Sequence, residues 1–244
     1  MQPELKEFLS TLLPHAFGGV AEKVFERNKK PLEVKVFACY LYLHGPSFDQ
    51  TSALLGDLGL KVAKSAVWYW FQQVGAEIGE LLVPQRQRRY LVVDETEVRT
   101  RDGLIWIFAA IDPENREIVG LHVSKHRELV DVLQFLKRCL RRCEGKPTLI
   151  SDGGPWYRWP AQRLGLEHVV LSGGDRNYIE RLFETFKDRI RTFDCFFPTE
   201  RIESVQNFCY AFGFFYNRCR RHQSMKGPPS GGGGGLKAWV EVFI

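Results

Sequence analysis

The chain has 244 residues, 44% of them hydrophobic and 26% charged, with a formal net charge of +5. That length can bury a sizeable core, and no apolar run approaches a membrane span, so disordered and helical-membrane classes are excluded. The N-terminus MQPELKEFLSTLLPHAF lacks the basic region and cleavage site of a signal peptide, which predicts a cytoplasmic protein with no membrane partner.

Cys39, Cys139, Cys143, Cys195, Cys209 and Cys219 form no CxxC pair and read as reduced packing thiols. Lys137, Arg138, Arg141, Arg142 and Lys146 form one basic cluster, and Arg218, Arg220, Arg221 and Lys226 a second. An anionic polymer is the natural partner of such clusters, although solubilising charge alone produces similar runs.

Taken in order, LEVKVFACYLYL at 32–43 predicts a mostly apolar helix that ends at His44-Gly45-Pro46. Ser47 is a good N-cap for a second short helix, which Gly59 closes. The third helix carries Lys61, Lys64 and Ser65 in its first turns and then the aromatic block Trp68, Tyr69, Trp70, Phe71. Two short helices about a glycine turn, at about 47–76, read equally as a helix-turn-helix and as part of a plain three-helix bundle. Pro84 and the polar stretch QRQRR at 85–89 predict a linker.

Beyond the linker the period changes to two. Three strands in a meander are predicted, with Asp102-Gly103 as a hairpin turn. ELVDVLQFLKRCLRRC is a helix, PTLIS a short strand, PWYRWPAQRLG a short helix or crossover, LEHVV a last strand, and RNYIERLFETFKDRIRTF an amphipathic helix. A final helix at about 199–217 is rich in aromatics. PPSGGGGG at 228–235 predicts a flexible segment before the tail LKAWVEVFI, whose structure the pattern leaves open. The expected organisation is a helical region at 1–84, a mixed α/β domain at 85–227, and a glycine-rich segment with its tail at 228–244.

Asp94 follows the apolar run Leu91-Val92-Val93, and Asp152 follows Leu149-Ile150-Ser151, so each acid sits at the end of a buried run. On the amphipathic helix, Glu180, Glu184 and Lys187 project in roughly one direction, beside Arg181 and Arg191. Alone, that face reads as a solvated surface laced with ion pairs. Joined to the two aspartates it reads as a set of hard oxygen ligands for magnesium or manganese, with cations placed for phosphate oxygens. Two such ions clamp the attacking and leaving oxygens of an in-line phosphoryl transfer.

VVDET at 92–96, W-x-F-A-A-I-D at 106–112, His126-Arg127, SDGG at 151–154, N-x-x-E-R at 177–181 with Lys187, and YNRCRRHQS at 216–224 together resemble the transposases of the IS-six group of insertion sequences. The wording of ERLFETFKDRIRTFDCFFP looks most like archaeal members. The resemblance spans about residues 35–228 and implies a ribonuclease-H-like mixed sheet with flanking helices, preceded by an all-α helix-turn-helix domain. It implies an Asp94, Asp152, Glu180 triad holding two Mg2+ (or Mn2+) ions, with Glu184 as the rival for the third place and Asp112 and Glu95 as supporting residues. DNA contacts are implied for Lys187, Arg181, Arg191, Lys61, Lys64, Ser65, Arg220 and His222.

The implied partners are double-stranded DNA, as terminal inverted repeats and target, and a second copy of the chain in a homodimer. Activity on the nucleoid follows from those partners. Other readings are a nuclease on the same scaffold and an inactive DNA-binding remnant or regulator. The stretch between Asp152 and Glu180 is shorter than usual for the group, Arg221 stands where proline is common, and five glycines replace a helical ending.

Overall fold

The computed structural model describes residues 24–25, 30–81, 83–171, 177–199, 201–222, 224–241 and 243. The first residues of the expected helical region, the loop at 172–176 before the amphipathic helix, and Gln223 of the last motif lie outside that set. By mutual contacts the chain forms two compact units, residues 1–80 with 214–244, and residues 81–213.

The first unit is helical. Helix α1 (Leu32–Leu43) is apolar on most sides and buries Val34, Val36, Ala38, Cys39, Tyr42 and Leu43. Helix α2 (Phe48–Asp57) starts at Ser47, where Ser47 Oγ accepts from the Gln50 amide and Gln50 Oε1 accepts from the Ser47 amide. Gly59 takes φ +76°, which a side chain rarely adopts, and so allows the turn toward α3 (Lys64–Leu81). Trp70 and Phe71 are buried, whereas Trp68 and Tyr69 are exposed.

The C-terminal tail belongs to this unit. Helix α8 (Gly235–Val240) buries Trp239, whose indole nitrogen donates to the Val36 carbonyl at 2.9 Å. The Ser230 hydroxyl and amide both donate to the Asn217 carbonyl, at 2.7 and 3.0 Å, which brings the proline-glycine segment back along the chain.

The second unit is built on a six-stranded mixed sheet. Strands β2 (Tyr90–Thr100), β3 (Gly103–Ile111) and β4 (Ile118–Ser124) form the antiparallel meander, and β6 (Thr148–Ser151) and β7 (His168–Val170) add in parallel. The order is β4-β3-β2-β6-β7, with the short β8 (Phe196–Phe197) pairing the far end of β2. Helices α4 (Leu129–Leu140) and α5 (Pro155–Leu164) cover one face, where Leu91, Val93, Phe108, Phe135, Leu136 and Tyr157 share a core. Gly120 lets α4 approach β4 closely, because a Cβ there would fall 2.5 Å from the Cys139 sulfur.

Helix α6 (Asn177–Ile190) packs on β2 and β3 and contributes nothing to that core, which places it on the opposite face. It buries Ile179, Leu182, Phe183, Phe186 and Ile190, the stripe read from the sequence. The Phe186 ring meets Phe208 and Phe212 of α7 (Ile202–Phe214) edge to face. The Gln206 side chain caps edge strand β4, accepting from the Val123 amide and donating to the Leu121 carbonyl.

The stretch expected to be a linker is a structural joint. Arg86–Gln87 is a strand, β1, parallel to β5 (Cys143–Glu144), which ends the expected helix earlier than its spacing implied. Arg88 is fully buried and donates to Asp112 at 2.8 Å and to Glu117 at 2.6 Å. A basic run with no apolar period looks like solvent-facing chain, but this arginine bridges two carboxylates that are themselves out of water, and Arg86 stands 3.7 Å from Glu117 as the second cation.

Candidate active site

Strand register sets the position of the two aspartates. Val92 of β2 lies opposite Ile150 of β6, so Asp94 and Asp152, each two residues further on, are neighbours at the carboxyl end of this parallel pair. Alternation puts Leu91, Val93 and Glu95 on the α4/α5 face and Asp94 on the α6 face. Asp94 is half-buried and Asp152 exposed.

The turn that carries Asp152 requires glycine. Gly153 has φ +88°, and a Cβ on it would lie 2.9 Å from the Val170 side chain. Asp152 Oδ1 accepts from the Gly154 amide at 2.9 Å, and the Ser151 hydroxyl accepts from the Gly153 amide and pairs with His168 Nε2 at 2.8 Å. Burial, then the charge of Arg158, lowers the His168 pKa and favours its neutral ring.

Glu95, a supporting residue in the sequence reading, is a hub. Its carboxylate accepts from the Tyr157 hydroxyl at 2.5 Å, from the Trp156 indole at 3.3 Å and from Arg127 at 3.3 Å. It thereby ties β2 at the residue next to Asp94 to the first turn of α5, immediately after the Asp152 turn. Burial, then the charge of Glu95, raises the Tyr157 pKa well above the usual phenol value, with Asp94 and Asp152 adding to it. Tyr157 therefore stays a protonated donor.

Glu180 lies exposed in the first turn of α6 and makes no hydrogen bond or ion pair among the described residues. Tyr178 in the same turn lies under the Arg116 guanidinium, 4.9 Å from the ring centroid. Glu184 and Arg181 are also exposed, and Lys187 lines a shallow groove with Glu97, Arg99, Leu104 and Cys195. Arg191 is paired with Asp188 at 2.8 Å in an exposed (i, i+3) bridge, which is the ion-paired surface that the charge spacing first suggested. Among the described residues, no three His, Cys, Asp or Glu side chains converge closely enough to hold one metal ion. The structure thus brings Asp94 and Asp152 together and places Glu180 on the helix covering the same face, without closing the triad.

The remaining candidates lie in the helical unit. Lys61 is exposed in the loop between α2 and α3, and Lys64 and Ser65 are exposed in the first turn of α3, with Lys64 3.1 Å from Asp49. The Tyr216 ring packs edge-on against His222 at 4.4 Å, and the Arg220 guanidinium stands 5.9 Å from the same ring, so that motif is folded on itself.

A meander of three antiparallel strands, two further parallel strands and helices on both faces define a ribonuclease-H-like fold. The family model described as a DDE domain matches residues 89–221. An uncharacterized protein of Methanocaldococcus jannaschii is 34% identical over 200 residues, covering 81% of this chain and 92% of its own. A transposase-like protein of Haemophilus influenzae is 24% identical over 55% of this chain and 65% of its own. The transposase for insertion sequence-like element IS431mec of Staphylococcus aureus is 25% identical over 52% of this chain and 57% of its own.

Among solved structures, the HTLV-2 integrase catalytic core domain in complex with magnesium aligns over 61% of this chain and 96% of its own, at 14% identity and a TM-score of 0.46. The chain belongs to the DDE-domain family of insertion-sequence transposases.

Proposed function

We propose that the protein is an active polynucleotidyl transferase that binds the terminal inverted repeats of its element, cleaves at the ends and joins them to target DNA. The observation that carries this reading is the β2–β6 register, which brings Asp94 and Asp152 to the carboxyl end of that parallel pair, within the DDE-domain match. Their donor set is all carboxylate oxygen, open to solvent at Asp152, and it fits magnesium or manganese rather than zinc. Glu180 would complete the set from α6. Divalent ions held there supply Lewis-acid polarisation of the scissile phosphate and stabilise charge on the attacking and leaving oxygens.

The chain's own groups do the rest. Glu95 holds the two aspartate-bearing segments together, while Lys187 and Arg181 take phosphate oxygens and fix the strand in line. Lys61, Lys64 and Ser65 at the start of α3 meet the inverted repeat, and Arg220 and His222 are the further DNA contacts of this reading. In the first step water adds to phosphorus and the P–O3′ bond breaks, leaving a 3′-hydroxyl on the element. In the second, that hydroxyl attacks a phosphate of the target and displaces a target oxygen. Joining two ends calls for two active sites, hence a homodimer.

The test is cleavage and strand transfer on DNA carrying the flanking repeats, with and without magnesium or manganese, for the wild type and Glu180→Gln. Metal-dependent joining that vanishes in the variant while DNA binding persists is the expected result. The open triad of this structure favours one second reading, an inactive DNA-binding remnant. Wild-type binding without cleavage in either metal would establish it, and cutting without joining would mark a nuclease.

A further inference from the structure

Arg127, in the loop between β4 and α4, is fixed on three sides. Its guanidinium carbon stands 4.1 Å from the centroid of the Trp106 ring and 3.8 Å from that of Trp156. Nη1 donates to Glu95 Oε1 at 3.3 Å, and the Glu95 side chain is only 5% exposed against 35% for Arg127. Nε and Nη2 have no hydrogen-bond partner among the described residues, and Arg127 as a whole is exposed.

The position of the loop follows from topology. Both β2 and β4 run antiparallel to β3, so β4 ends at the same side of the sheet as the carboxyl ends of β2 and β6. The loop that carries Arg127 therefore emerges at the rim where Asp152 turns into α5. Trp156, one wall of the cage, lies in the first turn of that helix.

We propose that Arg127 is a binding residue for a backbone phosphate of DNA lying along this rim. The proposal rests on the transposase reading for the identity of the ligand. Glu95 needs a positive charge beside it, and a lysine could supply that. The planar fork held against two indole rings goes beyond charge balance: much of its rotamer freedom is already lost, and Nε and Nη2 form a fork of two parallel donors of the spacing that phosphate oxygens accept. Sequence reading found the His126-Arg127 pair as a motif but gave it no role, because its neighbours Glu95, Trp106 and Trp156 are distant in the chain.

The experiment uses the full chain and a fluorescein-labelled duplex carrying the inverted repeat, titrated over a range of salt without divalent ions, alongside thermal melts. Each phosphate neutralised contributes about 0.9 to the slope of log affinity against log salt. Arg127→Ala is expected to lower the slope by about that amount, which makes binding roughly eightfold weaker at 0.1 M salt relative to the 1 M limit. Arg127→Lys keeps the charge beside Glu95 and should hold the slope, and Arg127→Gln replaces the alanine variant if that one does not fold. A wild-type slope in the neutral variants would overturn the proposal and leave Arg127 as a counter-charge for Glu95, while the transposase reading stands. Absence of duplex binding by the wild type itself would remove both.

Discussion

At the root of β2, Asp112 and Glu117 are buried against Arg88, which donates to each of them. Further along the same sheet, Asp152 stands beside Asp94 and takes its hydrogen bond from the Gly154 amide, with no ion pair to a cation among the described residues. Both places collect carboxylates, yet the first is buried against Arg88, with Arg86 as a second cation 3.7 Å from Glu117, and the second opens to solvent at Asp152. Buried acids matched to an arginine hold a joint together, because their charge is already spent on a protein cation. Asp152, exposed after a strand end and held by a backbone amide, stays open to solvent.

The comparison breaks first at Asp152. Asp152→Asn keeps the shape and the amide hydrogen bond and removes a charge from an exposed position. Cleavage should fall by roughly a thousandfold or more, since metal-assisted charge stabilisation is worth several kcal/mol. Urea unfolding should move by no more than about 0.5 kcal/mol. A variant that lost stability instead of activity would put this acid in the same class as Asp112.

Arg88→Met tests the other side. It strands two buried carboxylates, and the expected cost is about 3–5 kcal/mol in urea unfolding. Adding Asp112→Asn and Glu117→Gln should recover much of it, because the penalty lies in unpaired charge rather than in lost packing.

A smaller effect is expected from His122, whose ring lies near-parallel to those of Phe108 and Phe135 with centroids 6.2 and 6.5 Å away. Burial, then the nearby Arg138 charge, holds its pKa down at about 4 from the ordinary 6.5. The folded state therefore favours the neutral ring. Its contribution to stability is complete above pH 6.5 and is lost as pH falls toward 4, by up to about 3 kcal/mol. His122→Leu should flatten that part of the stability profile, measured by urea unfolding at a series of pH values.

The smallest effect is expected on α6. The Asp188 to Arg191 bridge is largely exposed, and Asp188→Ala should cost less than about 0.5 kcal/mol in the same assay. A larger loss would mean that this surface is tied down in a way an exposed pair is not.

Much of the fold was legible in the chain. The period of two at 90–124 with Asp102-Gly103 specified the meander, the apolar stripe specified α6, and Ser47 with Gln50 marked the start of α2. The joint at β1 and β5 was not legible, because two-residue strands carry no periodicity and QRQRR looks like solvent-facing linker. The placement of the tail was equally hidden. Five glycines announce freedom of the backbone, and only the indole bond from Trp239 to Val36 shows that the residues beyond them are anchored.

The candidate site divides in the same way. Sequence by itself determined the candidate residues: carboxylates after buried strands, a helical glutamate among cations, and the motif order of a transposase family, all of which local residue types and short spacings encode. Tertiary structure alone decided that Asp94 and Asp152 both follow the carboxyl end of one parallel strand pair, that Glu95 faces away from Asp94 to bind Tyr157, Trp156 and Arg127, and that Arg88 is a core ion. Those facts depend on parallel register and on contacts between residues far apart in the chain. A local pattern encodes a residue's chemistry and the face of the element it occupies, but its partners across the sheet are set only once the strands have paired.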